Sequence, residues 1–279
     1  MLMQNLNILI PLDFSSVSEQ AFLMADLLAL KIPLNIHLLH IIEANEAVIA
    51  GNPELSESLD LTAFQKKEKD ALAYFEALKN TGRNFHPHIK VGLITSQINL
   101  AAKEFNADLV IMGTKGANGW MERISGSEAQ HVARHLNIPV LTLRPGTPVS
   151  ELKNILLVDD FELIEKGTQI DLIKLIADAF GSTIHLLQIL KEVDEPYADD
   201  ILAQMKFFAD EHQLHRFETH IYRDKKVEDG IRNFNKEAQM DLVCIRTHAR
   251  KGINHLLFGS IAERLVNHCL KPLITFHIK

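Results

Sequence analysis

NILIPLDFS at positions 7–15 returns as NILLVDDFE at 154–162, an offset of 147. NIHLLHII (35–42) returns as TIHLLQIL (183–190) at an offset of 148, and ADLVIMGT (107–114) as MDLVCIRT (240–247) at 133. GSEAQHVARHLNIPVLTL (126–143) then matches GSIAERLVNHCLKPLITF (259–276), again at 133. Collinear copies at a steady spacing are the mark of a duplicated unit. The fall in offset places a deletion in the second copy, between its second and third matched segments. RPGTPVSE (144–151) joins the copies, and its two prolines and glycine punctuate the chain as a turn or short linker. The boundary is placed near Pro148, giving domains 1–148 and 149–279.

Within each copy, short β-branched runs (NILIPL, NIHLLHI, FHPHIKV, DLVIM, PVLTL) alternate with longer stretches of helical period. That alternation predicts α/β units on a doubly wound parallel sheet, and near-continuously apolar strands suit a sheet covered on both faces. Ser16 with Glu19 fits a capping box ahead of the stripe Phe22, Leu23, Ala25 and Leu27. The longest helical stretch runs over 58–80, with a shorter counterpart near 198–211, so most of the deletion falls here. KKEKD (66–70) reads as the wet side of that helix.

Composition narrows the function. With 47% hydrophobic and 23% charged residues, the 279-residue chain is an ordinary globular protein of two domains. A net charge of −7 offers no electrostatic reason to bind nucleic acid or an anionic membrane. Cys244 and Cys269 form no C-x-x-C motif, and the opening MLMQNLNILIPLD lacks the features of a signal peptide. With no apolar run long enough to span a bilayer, the expectation is a cytoplasmic protein.

The chemistry sits where DLVIM ends and GTKGANGWMERISGS begins. Gly113 and Gly116 bracket a tight turn after a strand, nine residues follow, and Gly126-Ser127 opens a helix. Glycines let backbone approach a bulky anion, and free N–H groups at a helix start favour negative charge, so the loop outlines a triphosphate cradle. Pro11, Leu12 and Asp13 end the first strand. Ligands of doubly wound sheets occupy the crevice at the carboxyl ends of the strands where strand order reverses, so Asp13 and the glycine loop would line one cleft.

G-x-x-G-(nine residues)-G-S after an apolar strand, with an Asp ending strand 1, resembles the ATP-binding universal stress proteins, and the likeness covers both halves. It implies, for each half, a Rossmann-like five-stranded parallel sheet of order 3-2-1-4-5. It further implies adenine-nucleotide contacts at Pro11, Leu12, Asp13, Ile41, Met112, Gly113, Gly116, Gly126, Ser127 and Glu128. Asp13 and Ile41 would hold the adenosine end, and Gly113 to Ser127 the phosphates of ATP, with Mg as its counter-ion. By the same resemblance VLTL (140–143) and LITF (273–276) pair within the chain as a pseudo-dimer, which could associate further as a homodimer. The second copy departs from the motif: Arg246 and Ala249 replace Gly113 and Gly116, while Asp160, Gly259 and Ser260 persist. This half is expected to bind no ATP, with Arg246 reaching Asp160 across the vacated cleft.

Plainer readings stand beside these. Ser127 with Gln130 also fits a capping box, and Asp13 could simply cap the first helix. His131 and His135 lie four apart on a helix without a third ligand evident, and His86 and His88 alternate on a strand with no carboxylate or thiolate partner visible in the sequence. No metal site is expected. P-loop, G-x-S-x-G and H-E-x-x-H motifs are absent, as is an S-G-G-x-D-S loop. By the resemblance the function expected is stress-related, regulatory nucleotide binding, and the absent motifs argue against catalysis. Lys115, Glu122, Arg123 and Glu128 are the loop residues that could support slow hydrolysis. The competing readings are a nucleotide-free interaction scaffold and a nucleotidyl transferase.

Overall fold

A computed structural model describes residues 5–44, 61–114, 132, 136–161, 168–190, 198–248, 265 and 269–278. The first copy supplies strands β1 (Leu6–Leu12), β2 (Leu34–Glu43), β3 (His86–Gly92), β4 (Leu109–Gly113) and β5 (Val140–Leu143). Its described helices are α1 (Ser16–Ala29), α2 (Leu61–Lys79) and α3 (Ile94–Glu104). The second copy supplies β6 (Asn154–Val158), β7 (Thr183–Leu190), β8 (Phe217–Arg223), β9 (Leu242–His248) and β10 (Leu273–Ile278), with helices α4 (Thr168–Phe180), α5 (Ala198–Glu211) and α6 (Val227–Ala238).

All ten strands join one sheet in the order β3-β2-β1-β4-β5-β10-β9-β6-β7-β8. Each half therefore reads 3-2-1-4-5. Every neighbouring pair within a half is parallel, and the two halves meet through the antiparallel pair β5–β10. In that pair Leu141 faces Ile274, flanked by Thr142 opposite Leu273 and Val140 opposite Thr275. At the repeat offset of 133, Leu141 and Ile274 are the same position of the two copies. The pairing is thus centred on a self-equivalent residue, the geometry of an isologous dimer built inside one chain.

Side-chain alternation along the strands divides the core into two apolar layers. One holds Ile8, Ile10 and Leu12 of β1 under α1, and continues through Leu141 and Ile274 to Ile155 and Leu157 of β6. The opposite layer holds Leu9, Ile41 and Met112 with Ile98 of α3, and continues to Val243 and Ile245 of β9. Both layers run through both halves, because joining β5 to β10 leaves no sheet edge between them.

Helix α1 starts one residue earlier than the capping box suggests. The Ser15 hydroxyl accepts the Ser18 N–H at 3.3 Å and so forms the N-cap, while Ser16 is already helical. Lys66–Asp70 on α2 are exposed, as their charge predicts. Among the described residues no helix is long and apolar enough to cross a membrane.

Candidate functional site

β1 and β4 lie side by side, with Ile8 opposite Leu109 and Leu9 opposite Val110. The chain passes from β1 to β2 on one side and from β4 to β5 on the other, so the carboxyl ends of β1 and β4 form the switch point. Here the fold gathers Pro11 and Leu12 of β1, Asp13 just beyond it, Ile41 of β2, and Met112 and Gly113 of β4. Gly116, Gly126, Ser127 and Glu128 lie outside the described residues, as do the alternative loop residues Lys115, Glu122 and Arg123, and the pair His131 and His135.

Asp13 has a divided role. Its Oδ1 accepts the Ser15 N–H at 3.0 Å, which ties the strand end to the cap of α1. Its Oδ2 is buried and has no hydrogen-bond partner among the described residues. A buried acceptor left in that state costs about 1–3 kcal/mol, which a ligand hydroxyl or amino group would recover. The capping and ligand readings are therefore compatible, one oxygen for each.

The next residue, Phe14, takes a left-handed backbone with φ 64, rare for a bulky side chain. Its ring stacks on His40 at 4.3 Å and meets Tyr74 of α2 at 4.5 Å. His40 Nδ1–H donates to the Leu12 carbonyl at 2.9 Å, fixing the strand end from the neighbouring strand. Burial lowers the His40 pKa, partly opposed by that carbonyl, and burial raises the Tyr74 pKa.

Gly113 is the last residue of β4 and pairs with Leu143, so its backbone is that of a strand. What glycine contributes there is the absence of a side chain beside Leu12, not left-handed backbone.

The second copy repeats the frame and fills it. Phe161, equivalent to Phe14, again has positive φ, at 55. Arg246 of β9 stands at the Gly113 position, buried to 2% exposure, and its Nη1–H donates to Oδ2 of Asp159. Its guanidinium lies 5.3 Å from the ring centroid of Phe208 on α5, and Phe208 packs edge-on against Phe161 at 5.2 Å. His212 packs on Phe208 at 4.4 Å, and burial first, then the Arg246 charge, lowers its pKa. The carboxylate that meets Arg246 is thus Asp159 rather than Asp160. Alternation explains the shift: Arg246 and Asp159 point to the layer that holds Cys244 and Leu157, and consecutive residues of a strand face opposite ways. Asp159 occupies the place of Leu12, so the pair replaces an apolar side chain and a glycine together.

His88 has an imidazole partner, and the His86 ring lies 5.2 Å from that same partner, His37. The His37 ring on β2 comes within hydrogen-bond distance of His88, Nδ1 to Nε2 at 3.1 Å. The signal was present in the repeat, where His37 returns as His185.

The family model described as "Universal stress protein family" matches residues 5–144 and, a second time, 151–277. A universal stress protein of Methanocaldococcus jannaschii is 27% identical over 139 residues, covering 49% of this chain and 81% of its own. The crystal structure of a universal stress protein from Archaeoglobus fulgidus superposes with a TM-score of 0.72 at 15% identity, covering 99% of this chain and 97% of its own. A putative universal stress protein from Pseudomonas aeruginosa gives 0.63 at 16% identity, with 99% and 94% covered. At such identities the structural likeness concerns the fold.

Proposed function

Because the chain belongs to the universal stress protein family, with one family domain in each half, we propose that its N-terminal half binds ATP or a related adenine nucleotide in a regulatory role. The observation that carries this reading is the Asp13 carboxylate, whose Oδ2 is buried and unpartnered among the described residues at the switch point, beside a strand end left bare by Gly113. In the proposed site Asp13 accepts from the adenosine end and Ile41 and Met112 supply apolar walls. Pro11 and Leu12 shape the strand end. The loop from Gly113 through Gly116 to Gly126, Ser127 and Glu128 holds the phosphates, with Mg screening their charge.

In the same proposal the C-terminal half binds no nucleotide, since Arg246, Asp159 and Phe208 fill the corresponding space, and it serves as the structural partner of the first. Two free cysteines, one of them buried, suit a reducing cytoplasm. The domain boundary is proposed at Pro148.

Titration of nucleotide-stripped protein with Mg-ATP tests the whole reading. The expected result is one site per chain, lost in Gly113→Arg, which copies the second half, and weakened in Asp13→Ala. Two sites per chain would overturn the division of roles. No binding at millimolar ATP would favour a nucleotide-free scaffold.

A further inference from the structure

The second half carries a cluster that the nucleotide reading does not use. On β7 and β8, His185 pairs in register with Glu218, and Leu187 with His220, so both β8 side chains stand on the face that His185 presents. His185 Nδ1 lies 3.0 Å from His220 Nε2 and 3.5 Å from Glu218 Oε2, and those last two atoms are 3.6 Å apart. These three atoms form one triangle. Ligands bound tetrahedrally at about 2.0–2.1 Å from a zinc-sized ion must be spaced by roughly 3.3 Å, so the triangle already has the size of one face of such a site.

We propose that His185, Glu218 and His220 bind a zinc-class divalent metal ion, with a fourth position open to water or a further ligand. Two imidazole nitrogens and one carboxylate oxygen are the donor set of a late first-row metal rather than of calcium or magnesium. The His185 ring is held from behind, because its Nε2–H donates to Asn154 Oδ1 at 3.2 Å. That bond leaves the Nδ1 lone pair directed at the triangle, which is how outer partners prepare a metal-binding histidine. The Glu218 side chain is 60% exposed and His220 28%, so an ion can enter from solvent.

The first half lacks the full arrangement, and the differences are specific. His37 and His88 reproduce the imidazole pair, but His86 stands where Glu218 does, removing the carboxylate. Phe105 lies against both rings, 4.5 Å from His37 and 4.1 Å from His88. At the repeat offset of 133 its counterpart is Ala238. Asn7, the counterpart of Asn154, instead accepts from Asn35 at 3.0 Å, and Thr183 replaces Asn35 in the second half. In the second half Phe234 lies 5.1 Å from the His220 ring, so the carboxylate and the orienting amide are what distinguish the copy whose nucleotide motif is lost. The metal site lies near the amino ends of its strands, across the sheet from the nucleotide end.

The full chain, freed of metal by chelation, is titrated with Zn²⁺ by calorimetry and with Co²⁺ by its visible absorption. One ion per chain is expected, with a Co²⁺ spectrum of low coordination number. Glu218→Gln and His220→Gln should each weaken binding at least tenfold, since even outer partners of metal ligands are worth 10–100-fold. Glu218 is exposed, so Glu218→Gln should keep its circular dichroism spectrum. His88→Gln should leave binding unchanged. Absence of binding at micromolar metal, affinity unchanged from the parent chain in Glu218→Gln and His220→Gln, or loss of the ion in His88→Gln would each overturn the assignment.

Discussion

Arg246 shows how one substitution changes what a duplicated position does. A strand-end glycine leaves room, whereas an arginine in the same register must bury its charge, and here it does so against Asp159 and the Phe208 ring. Removing one partner of a buried ion pair leaves the other uncompensated. Asp159→Ala is therefore expected to destabilise the protein by about 3–5 kcal/mol, measured by urea unfolding. Replacing both charges, with Asp159→Leu and Arg246→Met together, should cost markedly less than Asp159→Leu alone. Equal losses would show that the pair contributes little. At this scale the sequence revealed the lost glycine but misjudged the partner. Asp160 aligns with Asp13, and only the alternation of side chains at the end of β6 identifies Asp159 as the residue on the arginine's face.

The decisive element is the short pair β5–β10. Four apolar or threonine residues at the end of each copy would otherwise form an exposed sheet edge, and pairing them removes that edge. The Thr142 hydroxyl adds a bond to the Leu273 carbonyl at 3.2 Å across the seam. Ile274 is fully buried at its centre. Ile274→Ala should cost about 2–5 kcal/mol in chemical denaturation, as for a core isoleucine, although it lies where two domains meet. A loss below 1 kcal/mol would mean that the seam is a loose contact. The seam's existence was legible from the repeat combined with the family resemblance, because the last strand of each copy has the same pattern. Its register was not, since a four-residue strand can slide without changing its composition.

Across the whole molecule, buried histidines link stability to pH. His40 and His212 both have pKa values lowered by burial; Asp13 and Lys67 act on His40 in opposite senses. The unfolded chain protonates these residues near pH 6.5, above their folded values, so it binds more protons as pH falls through that point. Their contribution to stability is therefore complete above about pH 6.5 and is lost progressively below it. Urea midpoints should fall between about pH 6.5 and pH 5, and less steeply in His40→Gln. An unchanged slope in that variant would remove His40 from the account.

The sequence by itself determined the duplication, the α/β class and the asymmetry of the glycine motif, because each is carried by local pattern: strand and helix period, and a short loop of fixed spacing. Tertiary structure decided which side chains meet. His37 and His88 are 51 positions apart and His185 and Glu218 are 33 apart, and a parallel crossover fixes their register only once the sheet has formed. The same holds for Arg246 on β9 and Asp159 just beyond the end of the adjoining β6, 87 positions apart. Contacts of that kind depend on strand order, register and the face each residue presents, and a linear sequence states none of these directly.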